Sequence, residues 1–197
     1  QLAGNARGVI KIILTRGESG RGYLAGAGPA TCIVSVHAMP SPLPVPLALY
    51  WCGTALSEQP ALAGIKHLNR LENVLARREC DLAGYPEGLM CNRAGQVICA
   101  TSANVFLHAA GRWHTPDVGV CGIAGITRAW MIRHIGAACV GSVTRAMLEN
   151  ANAVFLCNAV RVLMPVSAIG SRQLLPSTAL DELHADFLAA NPFFGNT

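Results

Sequence analysis

Short apolar runs separated by Gly, Pro and Asn recur along the chain, and this pattern predicts a protein rich in strands. The runs have the length and the β-branched content of strands, and turn residues bound most of them. The predicted strands cover residues 9–15, 31–37, 47–56, 88–91, 97–101, 105–108, 111–115, 154–157 and 162–169. Residues 92–95 separate two of these runs and indicate a hairpin.

Helical spacing of apolar residues predicts a helix whose first turn lies close to Lys66. The residues with this spacing are Leu68, Leu71, Val74 and Leu75. Three further helices are predicted at residues 126–135, 145–150 and 177–190. In the last of them, Thr178 and Asp181 have the spacing of a capping pair. Strands mixed with helices indicate an α/β (α+β) fold.

A proline-rich stretch divides the chain into two parts. It contains Pro40, Pro42, Pro44 and Pro46, a spacing that excludes a helix and disfavours a central strand. The interpretation is that residues 1–40 are the remainder of a small domain plus a linker, and that residues 41–197 form a larger domain. Because the chain opens abruptly in sheet-like sequence, we expect N-terminal residues of the small domain to be missing.

Composition excludes several classes of protein. With 52% hydrophobic and 13% charged residues, the chain can bury a substantial core and is not disordered. No apolar run reaches the length of a membrane span. The arginines are scattered, so the net charge of +4 does not indicate a nucleic-acid surface. The eight cysteines show no CxxC pair, which favours a reduced, cytoplasmic protein over a disulfide scaffold or a zinc site.

Lysine is rare, and this narrows any amine chemistry to two candidates. Lys11 and Lys66 are the only lysines beside 13 arginines. An arginine cannot form an imine, whereas a lysine can, and burial would lower the pKa of its ammonium group. Small and apolar residues precede Lys66. Composition alone also fits a lysine that extends into solvent from the start of a helix.

Three other segments have residues suited to anion binding. The loop ending at Gly125 opens a helix, whose N-terminus can bind phosphate. Residues 100–104 are small and polar, and Arg21 lies in a Gly-rich stretch where its guanidinium could bind a carboxylate. Each segment also has a simpler interpretation as a turn or a solvated loop.

Taken together, these segments resemble the aminodeoxychorismate lyases, which are fold-type IV enzymes that use pyridoxal 5'-phosphate (PLP). The most specific match is Leu62-Ala63-Gly64-Ile65-Lys66-His67-Leu68-Asn69-Arg70-Leu71-Glu72. The other matching segments are Thr15-Arg16-Gly17, Gly20-Arg21-Gly22-Tyr23, Ser102-Ala103-Asn104, Gly125-Ile126-Thr127-Arg128, Cys157-Asn158-Ala159 and Met164-Pro165-Val166. The resemblance implies a partial small domain, a larger domain with a barrel-like mixed sheet and outer helices, and a homodimer.

The resemblance also implies the chemistry and the residues that carry it. Lys66 would bind PLP covalently and act as the catalytic base, and Arg21 and Tyr23 would bind the substrate carboxylates. The phosphate would rest on Ile126 and Thr127. The implied cofactor-binding residues are Lys66, Cys99, Ser102, Ala103, Asn104, Gly125, Ile126, Thr127, Ala159 and Val160. The implied reaction converts 4-amino-4-deoxychorismate to 4-aminobenzoate and pyruvate in folate biosynthesis, with no nucleic acid, membrane or metal involved.

One departure from the family pattern bears on the reaction. The family has an acidic residue five positions before Asn104, where it keeps the pyridine nitrogen protonated; here the residue is Cys99. A neutral thiol would leave that nitrogen largely unprotonated, whereas a thiolate could partly replace the acid. Two alternatives to the lyase remain: a fold-type IV aminotransferase for branched-chain or D-amino acids, and an inactive, N-terminally truncated PLP-binding remnant.

Overall fold

The predicted strands at 9–15 and 31–37 pair with each other in a separate unit of the chain. The computed structural model describes residues 8–43, 47–135 and 138–194, and the chain divides between Pro42 and Leu43. In the first unit, β1 (Gly8–Thr15) and β2 (Thr31–Ala38) form an antiparallel pair. Both strands are confirmed. Residues 44–46 of the proline-rich stretch lie outside the described residues.

The second unit is built on one mixed sheet of nine strands that curls into a half-barrel. The sheet order is β5-β4-β3-β10-β9-β6-β7-β8, with β11 on β10. The strands are β3 (Leu47–Trp51), β4 (Glu87–Cys91), β5 (Val97–Ala100), β6 (Asn104–Ala109), β7 (Arg112–Pro116), β8 (Cys139–Gly141), β9 (Ala153–Asn158), β10 (Val162–Ile169) and β11 (Arg172–Gln173). The helices are α1 (Leu71–Leu82), α2 (Ile126–His134), α3 (Arg145–Glu149) and α4 (Thr178–Ala190). A mixed sheet with outer helices confirms the predicted fold class.

Both faces of the central strands are buried, which explains their continuous apolar sequence. In β6, Phe106 packs on one face beside residues of α2 and α4, while its neighbours Val105 and Leu107 face the other core cluster. The Phe106 ring stacks on Phe155 of β9 with centroids 4.8 Å apart. Successive side chains of a strand point to opposite faces, so a strand covered on both sides needs apolar residues throughout.

Helix α1 differs from the sequence-based expectation in its position and in the face that it buries. It begins at Leu71, so Lys66 lies five residues before the helix on a loop. Its buried residues are Ala76 and Cys80, which pack on β4 and β5. The apolar residues that predicted the helix, Leu68, Leu71, Val74 and Leu75, are 49–69% exposed.

Three local expectations were wrong or incomplete for reasons the structure shows. Strand β3 ends at Trp51 because the Glu79 carboxylate accepts hydrogen bonds from the backbone N–H groups of Gly53 and Thr54. Ser177 is the N-cap of α4 and no side chain caps that helix, so the predicted capping pair does not form. The short strands β8 and β11 were missed, since each depends on pairing with a neighbour.

None of the helices described is long and apolar enough to cross a membrane.

Candidate active site

A cleft of about 630 Å³ in the second unit brings together residues from five distant segments. Its lining includes all ten residues for which the sequence analysis implied cofactor contacts. These are Lys66, Cys99, Ser102, Ala103, Asn104, Gly125, Ile126, Thr127, Ala159 and Val160. Leu56, Gly64, Arg70, Asn73, Ala100, Thr101, Gly122, Ile123, Ala124, Cys157 and Asn158 complete it. A concave site that collects polar groups from separate segments is the usual form of a small-molecule site.

Lys66 lies in the cleft on a loop that two hydrogen bonds join to the Gly-rich loop before α2. The Gly64 N–H donates to the Gly122 carbonyl at 3.1 Å, and the Ala124 N–H donates to the Gly64 carbonyl at 3.0 Å. Gly64 and Gly122 have φ values of +79° and +91°, which residues with a Cβ rarely adopt. Lys66 is exposed, as the sequence alone also allowed.

The N-terminus of α2 also opens into the cleft. Gly125 is the N-cap in an extended conformation, and no side chain caps the helix. The first intrahelical bond runs from the Ala129 N–H to the Gly125 carbonyl, so the N–H groups of Ile126, Thr127 and Arg128 have no acceptor inside the helix. Free N–H groups together with the positive end of the helix dipole can bind a phosphate or another anion.

Asn104 holds the loop that leads into this helix. Its Nδ2 donates to the Ile123 carbonyl at 2.8 Å. A Cβ on Gly125 would lie far inside van der Waals contact with the Asn104 Oδ1. Glycine at position 125 therefore allows the buried Asn104 to approach the backbone and fix the start of α2.

Asn158 holds the opposite wall of the cleft in a similar way. Its Oδ1 accepts from the N–H groups of Val160 and Arg161 at 3.0 and 2.8 Å, and its Nδ2 donates to the Ser102 carbonyl at 3.3 Å. The turn containing Ala159 and Val160 is thereby tied to the loop that follows β5.

Glu87 is a buried acid behind the cleft that the sequence analysis missed. The carboxylate is 3% exposed and accepts four hydrogen bonds. Its donors are the N–H groups of Gly88 and Thr101 and the hydroxyls of Thr101 and Ser102. Glu87 thus orients two residues that line the cleft. An acidic residue inside the otherwise apolar run of β4 was the signal that could have revealed it.

We expect the Glu87→Gln variant to be less stable than the parent chain by about 1–3 kcal/mol, because it loses charge-assisted hydrogen bonds in a buried site. For a chain of this size, the melting temperature should fall by about 2–4 °C per kcal/mol. Thermal denaturation followed by circular dichroism measures the change. Glu58→Gln, at an exposed position, is the matched control, and equal melting temperatures for the two variants would contradict this role.

Cys99 presents a neutral thiol to the cleft. Burial, together with the neighbouring Cys121 and Glu87, raises the pKa of the Cys99 thiol to about 12. Of the two states left open by the sequence, the thiol and not the thiolate is therefore present at neutral pH. The cleft lining contains no Asp or Glu within residues 8–43, 47–135 and 138–194.

Two polar atoms of cleft-lining residues are buried without a hydrogen-bond partner. They are the Nε of Arg70 and the Oδ1 of Asn73. Such a group costs about 1–3 kcal/mol when it is left unpaired. With the cations Lys66 and Arg70, a helix N-terminus and no Asp or Glu among the described lining residues, the cleft suits an anionic ligand. PLP, an aldehyde with a phosphate and a ring nitrogen, fits this description.

Arg21 and Tyr23 lie between β1 and β2, in the first unit. Both side chains are exposed there, and Tyr23 makes no contact that shields it. The structure leaves their expected role in binding substrate carboxylates untested.

Comparison with known proteins identifies the family that has this fold and this cleft. Residues 1–169 match the amino-transferase class IV family, and the chain belongs to that family.

Among solved structures, the chain is similar to the 4-amino-4-deoxychorismate lyase from Pseudomonas aeruginosa. The two are 38% identical with a TM-score of 0.86, over 93% of this chain and 71% of that one. The aminodeoxychorismate lyase of Vibrio harveyi is 32% identical over 175 residues, which is 82% of this chain. The chain spans 63% of the length of that curated relative. The branched-chain amino acid aminotransferase from Escherichia coli shares the fold, with 19% identity and a TM-score of 0.79, over 91% of this chain and 63% of that one.

Proposed function

We propose that this chain is a PLP-dependent carbon–oxygen lyase that converts 4-amino-4-deoxychorismate to 4-aminobenzoate and pyruvate, a step of folate biosynthesis. The observation that carries the proposal is the position of Lys66, on a loop joined to the N-terminus of α2 in one cleft. The similarity to two proteins named as aminodeoxychorismate lyases supports this reaction over others of the family.

The residues of the cleft would divide the binding of PLP among them. Lys66 would bind the cofactor covalently through Nζ, and the free N–H groups of Ile126 and Thr127 would bind its phosphate. The side walls would be formed by Cys99, Ser102, Ala103, Asn104, Gly125, Ala159 and Val160. When bound, PLP supplies an electron sink for the substrate carbon that carries the amino group.

Once the amino group of the substrate displaces it from the cofactor, Lys66 would act as the base. Its Nζ would remove the proton from the ring carbon that bears the amino group. The bond between the adjacent ring carbon and the ether oxygen would break, and the enol that leaves would take up a proton to become pyruvate. The ring becomes aromatic, which supplies much of the driving force, so the main task of the protein is to position the lysine and the substrate.

The competing reaction in this family is transamination, which transfers the amino group to the cofactor. Both halves of that reaction depend on a strongly electron-withdrawing ring. The neutral thiol of Cys99, in a cleft whose described lining residues include no Asp or Glu, supports the lyase instead.

Product analysis tests the proposed function. The chain is loaded with PLP, freed of excess cofactor and incubated with 4-amino-4-deoxychorismate, and the products are separated by chromatography. We expect 4-aminobenzoate and pyruvate in equal amounts. A keto acid together with pyridoxamine phosphate would identify an aminotransferase, and PLP binding without either set of products would identify an inactive remnant.

The roles of the first unit are proposed from the resemblance alone. Arg21 and Tyr23 are the candidates for binding the substrate carboxylates. Residues 1–40 are proposed to be part of a small domain with its linker, and residues 41–197 to be the large PLP-binding domain.

We also propose that the chain forms a homodimer through the exposed apolar residues of α1 and the loop before it. Leu68, Leu71 and Val74 are each more than half exposed, and exposed apolar surface favours association. We expect the double variant Leu71→Glu/Val74→Glu to sediment as a monomer at concentrations where the parent is a dimer.

Analytical ultracentrifugation measures this difference. Leu175→Glu, which places a charge at another exposed leucine of the same unit, should leave the dimer intact. A parent chain that is monomeric at every concentration would contradict the proposal.

The thiols support a cytoplasmic location. None of the eight cysteines, all of which the structure describes, forms a disulfide, as is usual in a reducing compartment. Fractionation of cells that express the chain, with the product assay applied to each fraction, tests this location.

A further inference from the structure

We propose that the start of α1 positions the cofactor lysine: Arg70 holds the loop that carries Lys66, Asn73 holds the cleft wall at residues 101–104, and together they set the place of the amine. The inference rests on the proposed function, because it requires Lys66 to bind PLP. It adds two positioning residues, each of which acts through a backbone carbonyl of a neighbouring segment.

The side chain of Arg70 fastens the lysine loop to the helix that follows it. Arg70 is the N-cap residue of α1, and its Nη2 donates a hydrogen bond to the carbonyl of Ile65 at 2.6 Å. Ile65 directly precedes Lys66. A hydrogen bond from a charged donor is stronger than one between neutral groups, so this contact restrains the backbone next to the reactive amine.

Little else restrains the part of the loop that follows Lys66. On the N-terminal side, Gly64 is bonded to Gly122 and Ala124. Within the ranges that the structure describes, residues 66–69 take part in no hydrogen bond between backbone groups. The bond from Arg70 therefore closes a loop that is otherwise anchored only before Lys66 and at the start of α1.

Asn73 joins the same helix to the wall of the cleft. Its Nδ2 donates to the carbonyl of Thr101 at 3.0 Å. Residues three apart lie on the same side of a helix, so Arg70 and Asn73 reach out from one side of the first turn. Both residues line the cleft, and α1 thus connects the lysine loop with the wall at residues 101–104.

A held lysine matters for two properties of the site. A ligand anchored by its phosphate at α2 can link to Lys66 only if Nζ reaches the aldehyde carbon, and a loop that is already ordered loses less freedom when the link forms. The same amine must later reach the ring proton, and a small misplacement of a catalytic group lowers the rate strongly. Binding of a ligand without an aldehyde depends on neither.

Two ligands that differ at the reactive group separate positioning of the lysine from general damage to the cleft. PLP can link to Lys66, whereas 4'-deoxypyridoxine 5'-phosphate has a methyl group in place of the aldehyde and binds only through its phosphate and ring. Fluorescence titration measures both affinities for the parent, Arg70→Met, Asn73→Leu and Arg78→Met. Arg78 is an exposed arginine of α1, and its variant is the control.

We expect Arg70→Met and Asn73→Leu each to weaken PLP binding by about tenfold, the effect of one lost hydrogen bond. Affinity for the analogue should change by less than about twofold. The kcat of the lyase should fall by about 10- to 100-fold while KM stays nearly unchanged, because the base is misplaced. Arg78→Met should match the parent in each measurement.

A lysine-specific protease measures the hold on the loop in the absence of cofactor. Lys11 and Lys66 are the only lysines, so this protease can cut the second unit only after Lys66. Cleavage requires the loop to open, and its rate follows the population of the open form when opening is fast. We expect slow cleavage after Lys66 in the parent and in Arg78→Met, and cleavage about tenfold faster in Arg70→Met.

Two affinity results overturn the inference. One is a PLP affinity of Arg70→Met and Asn73→Leu equal to that of Arg78→Met, and the other is an equal loss for PLP and for the analogue, since α1 would then only support the cleft as a whole. Cleavage of the cofactor-free parent after Lys66 as fast as in an unfolded peptide of the same sequence also overturns it, even if no variant folds. Failure of PLP to link to Lys66 of the parent, shown by borohydride reduction and peptide mapping, would instead refute the proposed function.

Discussion

The Lys66→Arg variant is expected to lose covalent PLP binding and at least about 10³-fold in lyase turnover, because general-base and covalent catalysis each contribute on this scale. Arginine keeps the positive charge and much of the length of the side chain, but it cannot form an imine or release a proton near neutral pH. The variant therefore separates the chemistry of the amine from the electrostatics of the site. Pyruvate formation and the absorption spectrum of bound cofactor measure the two losses.

This loss should occur without loss of the fold. Lys66 is exposed, so we expect the melting temperature of the chain without cofactor to stay within about 2 °C of the parent. Lys11→Arg, at the other lysine of the chain, should retain both activity and the spectrum. Phosphopyridoxyl found on Lys11 after borohydride reduction, or full turnover by Lys66→Arg, would show that Lys66 does not carry the cofactor.

Gly125→Ala should have the second-largest effect, although it adds a single methyl group. The new Cβ would collide with the amide of Asn104, which is buried and holds the Ile123 carbonyl. Either Asn104 gives up that hydrogen bond or the start of α2 moves. We expect a loss of about 1–3 kcal/mol in stability and a loss of at least about tenfold in PLP affinity, since the phosphate would rest on the displaced N–H groups.

Fluorescence titration with PLP and thermal denaturation measure these two effects. Gly119→Ala is the matched control in the same loop, because the nearest atoms to its new Cβ belong to the exposed side chain of Asp117. If Gly125→Ala binds PLP as tightly as Gly119→Ala does, the start of α2 is not where the phosphate binds.

Lys66 and Gly125 lie at opposite ends of one arrangement. The hydrogen bonds between Gly64, Gly122 and Ala124 make the lysine loop and the loop before α2 a single structural piece. A change at either end should therefore alter cofactor binding, while a change at Lys11, or at Gly119 where a new Cβ meets only the exposed Asp117 side chain, should not.

The sequence was sufficient to predict most of the strands and helices. All ten residues that the resemblance implied for cofactor contacts line one cleft of the structure. Strands such as β6 and β9 are evident because burial on both faces requires a continuous apolar run. Helix α2 is evident because Gly125 ends an irregular loop immediately before residues of helical pattern. The Lys66 segment could be recognised because lysine is rare in this chain and because the residues after it are specific to one family.

Only the tertiary structure determined how these segments act on one another. Glu87 could not be recognised, because its four donors come from residues next to it and 14–15 positions later, and folding alone brings them together. The neutral state of Cys99 depends on burial by neighbours in space. The unpaired Nε of Arg70 depends on the loop geometry around Ile65. Local patterns determine which elements form, whereas hydrogen-bond partners and burial depend on contacts between residues far apart in the chain.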